Sequence, residues 1–254
     1  MAFAEWRADP AWRTIDLLSD VHLHADAPRT FEAWRSHLLA TPADAVLILG
    51  DLFEVWVGDD ARQDGFAGEC AAVLGEAARS RVVAFMHGNR DFLLGQAMCR
   101  DCGMQALADP TVAIGWDQRL LLTHGDALCL ADTDYQRFRQ EVRSRAWQEL
   151  FLALPLGQRL QRARSMRDAS TMHQASKGDC VGADVDEASA VKWLDQAAAQ
   201  VMIHGHTHRP ARHALPGARV RHVLGDWDFE TSPPRARVLR WTAQGLAALN
   251  LGTA

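Results

Sequence analysis

This chain of 254 residues is short of several things, and each shortage narrows the reading. No stretch approaches the roughly 20 apolar residues that cross a bilayer, so no membrane-spanning helix is expected. Met1 to Pro10 has no basic segment followed by an apolar one, and is not expected to act as a secretory signal. Cysteines are few: Cys70, Cys99, Cys102, Cys129 and Cys180, an odd number without the spacing of a disulfide framework. Cys99-Arg-Asp-Cys102 has C-x-x-C spacing, but no second pair completes a zinc site and no Trp-Cys-Gly-Pro context makes a redox motif. Ordinary thiols in a reducing cytosol are the expectation. Positive charge is not in excess either. The formal net charge is −5 with neutral histidines, which argues against general nucleic-acid binding while leaving room for a local basic patch. Internal repeats and low-complexity segments are absent.

What is present begins with a hydrophobic content of 48%, enough for a substantial core. The length suits one large α/β domain, or one domain with an insert. Short apolar runs predict strands at Thr14–Leu18, Ala45–Leu49, Arg81–Met86, Arg119–Thr123, Val201–Ile203 and Val220–Leu224, with a closing strand at Arg235–Trp241. Ala45–Leu49 is apolar without alternation, as in a strand buried on both faces. Helical spacing predicts helices over Phe31–Leu39 and Phe66–Arg79. Asp184-x-x-Glu187 reads as a capping box opening a helix that runs to about Ala198.

Five segments end these strands: Asp20-Val21-His22, Gly50-Asp51, Gly88-Asn89-Arg90-Asp91, His124-Gly125-Asp126 and His204-Gly205-His206-Thr207-His208. They are expected on the strand tips of one sheet, where open α/β sheets build their sites. Asp20 and His22 are expected on one side of an extended tip, because alternate residues point the same way. Asp51 has two oxygens and can bridge two cations roughly 3.5–4 Å apart. Asn89 offers a neutral carbonyl oxygen; His124, His206 and His208 offer imidazoles. His204 falls one pleat earlier and reads as supporting or structural. Any one of these histidines alone is usually an ordinary loop or core residue, but the joint placement has no common structural explanation.

The donors are nitrogen and oxygen throughout. That suits manganese, iron or zinc in mixed coordination and a hydroxide that attacks phosphorus. Arg90 can pair with phosphate oxygens but cannot donate a proton at useful pH. A leaving group of the pyrophosphate type therefore fits better than an alkoxide. Asp91 is expected to orient Arg90 or His124, or to cap a helix from Phe92.

From Asp134 to about Lys177 there is no strand signal. Tyr135, Phe138, Val142, Trp147, Leu150, Phe151 and Leu154 recur at helical spacing, Pro155 breaks the helix, and a second begins near Gln158. Between Asp134 and Arg167, eight arginines face three acids, a local excess of five in an acidic chain. Such a segment is either a solvated hairpin on the core or a lid for an anionic, greasy ligand or an anionic membrane surface.

These segments resemble the calcineurin-like metallophosphoesterases, whose pattern is D-x-H, G-D, G-N-H-[DE], H and G-H-x-H, over about Asp20 to Asp228. Arg90 stands where most of that superfamily has histidine. With Gly50 to Asp60, His87 to Phe92, His124 to Cys129, His204 to Arg209 and Leu224 to Trp227, the chain is similar to the UDP-2,3-diacylglucosamine diphosphatases of lipid A biosynthesis. The resemblance implies an α/β fold, a layered β-sandwich flanked by helices. It also implies a single domain over 1–254 with a helical lid at about 132–180. It implies two divalent cations, manganese by preference: one held by Asp20, His22, Asp51 and His208, the other by Asp51, Asn89, His124 and His206. Asp51, Asn89, Arg90 and His124 would form the catalytic group. Substrate contacts would come from Asn89, Arg90, His206, Asp132, Tyr135, Ser170, Gln174 and Lys177, with Gln174 departing from the family's Asn. The implied substrate is a lipid-linked nucleotide. The implied location is the cytoplasm, peripheral on the cytoplasmic face of the bacterial inner membrane, with no nucleic acid and no protein partner.

Other classes fit less well. A phosphoesterase for a soluble nucleotide, such as a dinucleoside polyphosphate, predicts His in place of Arg90 and needs no greasy lid. A protein phosphatase predicts Asp-Arg-Gly where Phe53-Glu54-Val55 stands. A non-catalytic scaffold predicts lost ligands, and a nuclease predicts a long basic groove.

Overall fold

The run Ala45–Leu49 lies at the centre because nothing in it is polar: all five side chains are fully buried. A computed structural model describes residues 3–63, 65–176 and 184–252; the side chains of residues 168–176 lie outside the described part. The elements in chain order are β1 (Ala4–Arg7), β2 (Ile15–Leu18), α1 (Pro28–Ala40), β3 (Ala45–Leu49), α2 (Gly65–Ala77), β4 (Val82–Met86), α3 (Gln96–Asp101), β5 (Gln105–Leu107), β6 (Thr111–Gly115) and β7 (Gln118–Leu122). Then follow α4 (Thr133–Val142), α5 (Arg145–Leu152), α6 (Leu156–Ser176), α7 (Glu187–Ala197), β8 (Val201–His204), β9 (Ala211–Leu215), β10 (Arg219–Val223), β11 (Arg237–Thr242) and β12 (Gly245–Asn250).

The strands form two six-stranded sheets, not the one sheet expected. Their orders are β12-β11-β2-β3-β4-β5 and β1-β6-β7-β8-β10-β9. Period-2 alternation could not show this, because the central strands of both sheets are apolar on both faces. Ile15, Leu17, Leu47 and Met86 of the first sheet meet Leu120, Leu122 and Ile203 of the second in the middle layer. Ile48, Val83 and Phe85 turn outward onto Trp34 and Leu38 of α1 and Leu74 of α2. Leu121 and Met202 turn outward onto Ala190 and Leu194 of α7. The result is a β-sandwich with helices on both outer faces, the layered α/β fold that the sequence implied.

Strands β1, β5, β6, β9 and β12 escaped sequence reading. Most are short or polar edge or next-to-edge strands; in β9 the burial alternates with exposed arginine and alanine. The α7 cap lies two residues later than expected: the Asp186 side chain accepts from the Ser189 N–H at 2.8 Å. Asp184 instead accepts from the Val185 N–H and pairs with Arg221 at 2.7 Å. The predicted first helix of the insert is two helices, because Ser144 ends α4 and caps α5 by accepting from the Trp147 N–H at 3.3 Å. No helix among the described residues is long and apolar enough to cross a membrane.

One buried charge lies between the first sheet and α1. Asp16 of β2 is out of contact with solvent and accepts from Arg240 Nε at 2.8 Å and Nη2 at 2.9 Å, and from the Thr41 hydroxyl at 2.6 Å. Burial works against this carboxylate, but Arg240, His37 and Thr41 outweigh it and hold its pKa far below the usual range. Replacing it, Asp16→Ala, strands a part-buried guanidinium and is expected to cost about 3 kcal/mol in urea unfolding. Because the folded pKa is depressed, the stabilisation is complete above the unfolded value near ~4 and is lost as pH falls below it. Wild type therefore loses stability on acidification more steeply than Asp16→Asn.

Candidate metal centre

Two sets of neighbouring parallel strands aim their carboxyl ends at one edge of the sandwich. β2, β3 and β4 are parallel in one sheet; β7, β8 and β10 are parallel in the other. The loops that follow are tied together. Asp20 N–H donates to Gly50 O at 3.1 Å, His22 N–H to Asp51 O at 3.0 Å and Gly205 N–H to His124 O at 3.0 Å. Trp227 N–H donates to Asp20 O at 3.0 Å, which crosses between the sheets.

Asp20, His22, Asp51, His206 and His208 all have positive φ, between 51° and 64°. The expected extended tip for Asp20 and His22 is thus replaced by left-handed backbone, which turns both side chains inward. Glycines make room for this crowding. A Cβ on Gly50 would lie 2.6 Å from both Gly88 Cα and His124 Nδ1, and one on Gly88 would run into the Asp51 carboxylate.

The donor atoms gather in two groups that share Asp51. In the first, His22 Nε2 faces His208 Nε2 at 3.2 Å, and Asp20 Oδ1 lies 3.3 Å from His208 Nε2. In the second, Asn89 Oδ1 lies 2.9 Å from His124 Nε2 and 2.8 Å from His206 Nδ1. Asp51 turns Oδ2 toward His22 at 4.0 Å and Oδ1 toward His124 at 3.7 Å. Asp20, His22 and His208, and separately Asp20, Asp51 and His124, hold their donor atoms within 4.8 Å of one another. Two imidazole nitrogens at contact distance need a proton or a cation between them. His124 Nδ1 is 2.9 Å from the Leu49 carbonyl, so its proton belongs there and Nε2 presents a lone pair to the group. The donor set and its orientation fit two hard or borderline divalent cations.

Other buried groups support the donors. His204 is set apart as expected: its Nδ1 meets Gly205 O at 2.8 Å, Arg221 reaches its Nε2 at 3.2 Å, and burial pushes it down to about 3. Asp91 neither orients Arg90 or His124 nor caps a helix. It accepts from the N–H groups of Asp51, Leu52, Phe53 and Gly88, between 2.7 and 3.3 Å, and so pins the β3 loop to the β4 loop. Burial and the Asp51 charge push Asp91 up to about 7.

Two further carboxylates have no role assigned by the sequence reading. Glu54 is the lone acid in the apolar run Leu52–Val57, and Asp126 stands two residues after His124. Glu54 reaches the centre on one side and the insert on the other, and Asp126, next to the centre in sequence, is held by the insert. Glu54 Oε2 is 3.1 Å from His22 Nδ1, while Oε1 is 2.9 Å from Arg167 and 3.6 Å from Arg90. Asp126 Oδ2 accepts from the Tyr135 hydroxyl at 2.6 Å and from Arg139 Nε at 2.7 Å.

Among the residues expected to contact substrate, Tyr135 stacks on His206, ring centroids 5.7 Å apart. Asp132 caps α4 by accepting from the Tyr135 N–H at 3.3 Å. Arg90 donates its backbone N–H to Asp51 Oδ1 at 2.8 Å and keeps its side chain part-exposed. Ser170 and Gln174 fall on α6 with side chains outside the described part, and Lys177 lies outside the described residues.

The sequence profile of the calcineurin-like phosphoesterases matches residues 13–210. The chain belongs to that family. This phosphoesterase is 42% identical over 237 residues to a protein of Ralstonia nicotianae named UDP-2,3-diacylglucosamine hydrolase, covering 89% of this chain and 88% of that one. Proteins of the same name from Aeromonas hydrophila (44% identical, 83% of this chain and 89% of that one) and Chromohalobacter salexigens (37%, 91% and 99%) are also similar.

Protons and cations compete for this phosphoesterase's centre. Burial opposes charge on His124, but Asp51, Asp20 and Asp126 outweigh it and raise the imidazole to about 9. Glu54, Asp51 and Asp20 likewise outweigh burial at His22 and raise it. A cation must displace these protons, so affinity falls as pH drops below 9, roughly tenfold per unit for each proton released. Calorimetric titration of manganese in two buffers of different ionisation enthalpy counts the protons released; a pH-independent affinity contradicts the assignment.

Proposed function

We propose that the chain hydrolyses the pyrophosphate bond of UDP-2,3-diacylglucosamine, yielding UMP and 2,3-diacylglucosamine 1-phosphate for lipid A biosynthesis. The observation that carries this is 37–44% identity, over 83–91% of the chain, to relatives of that name. In this reading residues 1–254 form one domain with a lid at about 132–180. Asp20, His22, Asp51 and His208 hold one cation; Asp51, Asn89, His124 and His206 hold the other. The all-nitrogen-and-oxygen donor set suits manganese, iron or zinc, and manganese is the ion of this reading. When bound, the two cations supply a hydroxide at neutral pH and stabilise charge on the phosphoryl oxygens.

The chain's own residues do the rest. Asp51 fixes the spacing of the two groups and, through the Arg90 N–H, the base of the arginine. The Arg90 guanidinium binds phosphate oxygens. It supplies no proton, so the departing group leaves as a phosphate, which a pyrophosphate provides and a simple alcohol does not. Asn89 and His206 face the scissile group, and Asp132 and Tyr135 approach it from the start of α4. Ser170, Gln174 and Lys177 complete the substrate contacts from α6 and beyond. Phe138, Leu150 and Leu152 are exposed on the insert, with Arg162 and Arg164 exposed on α6. Exposed apolar and basic side chains of this kind suit acyl chains and an anionic bilayer, supporting a peripheral position on the cytoplasmic side of the inner membrane. The reaction requires neither nucleic acid nor a protein partner.

Incubation of the purified protein with manganese, UDP-2,3-diacylglucosamine and a competing dinucleoside polyphosphate is expected to release UMP from the lipid substrate. Cleavage of the soluble nucleotide alone discards the lipid reading and leaves the metal reading standing. Arg90→Ala is expected to lower kcat/KM about 10²–10³-fold with both cations retained. Asp51→Ala is expected to abolish turnover together with paired metal binding; full turnover in that variant sinks the two-cation mechanism.

A further inference from the structure

We infer that Glu54 is a positioning residue that sets which ring nitrogen of His22 faces the metal centre; the inference rests on the two-cation reading above. When His22 Nε2 ligates a cation, the remaining ring proton is on Nδ1 and needs an acceptor. Glu54 Oε2 lies 3.1 Å from Nδ1 on a side chain only 10% exposed, and a small turn of the ring aligns that contact into the hydrogen bond the proton needs. His22 stands on left-handed backbone, so the ring's direction is not set by regular secondary structure and depends on what holds its far edge.

The carboxylate is itself oriented from behind. Oε1 faces Arg90 at 3.6 Å and Arg167 of α6 at 2.9 Å, and arginine only donates. One oxygen therefore lies in the field of two guanidinium groups while the other faces the imidazole. This makes the isosteric amide a poor substitute. In Glu54→Gln the amide oxygen must face the arginines, which turns the NH₂ toward His22 Nδ1. A donor there forces Nδ1 to accept and moves the ring proton to Nε2, the nitrogen that has to be bare.

The test is manganese titration of the metal-free full-length protein, followed by the electron paramagnetic resonance signal of free manganese. Wild type is expected to bind two ions. Glu54→Gln is expected to hold one ion normally and the second roughly 10–100-fold more weakly, with an unchanged melting temperature. Its turnover is expected to fall at limiting manganese and to recover when the metal is raised, which a loss of folding would not allow. Glu54→Ala removes the acceptor without introducing a donor and is expected to weaken the same ion, so the inference stands on it should the Gln variant fail to fold. Two ions bound with wild-type affinity in either folded variant overturn the inference. Fewer than two ions in wild type overturn the two-cation reading itself, a failure that appears before any substitution.

Discussion

Asp20, His22, Asp51, His206 and His208 occupy left-handed backbone, a conformation that costs a residue with a side chain of order 1–3 kcal/mol. Among the described residues they are five of nine non-glycine positions with positive φ. Asp and His tolerate it better than most side chains, but residue type alone does not impose it. The conformations are held by hydrogen bonds between loops: Asp20 and His22 to the β3 loop, Asp91 to four backbone N–H groups, His206 N–H to both Asp20 oxygens at 3.1 Å. Those loops can be rigid because the strands beneath them are buried on both faces and packed in a three-layer core. The strain at the edge is offset by the sandwich under it.

Charge follows the same logic. The centre gathers buried carboxylates that repel one another, and the surrounding cations are the histidines and the insert's arginines. The local excess of arginine is therefore largely consumed within the protein. Arg139 and Arg143 approach Asp126 at 2.7 and 3.6 Å, Arg159 pairs with Asp60 while buried, and Arg167 pairs with Glu54. Trp147, stacked on Phe151 and tilted against Phe92, supplies the apolar part of the same docking. The insert is thus clasped to the centre from both sides, by Asp126 near His124 and by Glu54 near His22. The amphipathic insert predicted from sequence is a neighbour of the clustered Asp, Asn and His side chains as well as a face toward solvent.

Much of the centre was legible because its residues end apolar runs. Ala45–Leu49 and Val82–Met86 differ by at most one residue from their predicted spans. The signal failed where burial, and not periodicity, decides. Periodicity could not tell the sandwich from a single sheet, since β3, β4 and β7 give no alternation to say which face meets what; the family resemblance alone implied it. Edge strand β9 is too polar to register, and β12, Gly-Leu-Ala-Ala-Leu-Asn, has no β-branched or aromatic residue to mark it as a strand. Asp91 and Glu54 were misread or passed over for one reason: a carboxylate's partner is set by what folds onto it, here backbone N–H groups 38–40 residues away and an arginine from α6.

The sequence by itself determined the family, the order of the strands, and which Asp, Asn and His residues stand at their carboxyl ends. Each of those depends on residue type and on position relative to a local apolar run. Tertiary structure alone decided that the donors come from two sheets, that their backbone is left-handed, and which side-chain oxygen or ring nitrogen faces inward. Those depend on contacts between segments a hundred or more residues apart, such as Asn89 with His206 and Asp20 with His208. No local pattern encodes the distance between such residues; only the packing of one sheet on the other sets it.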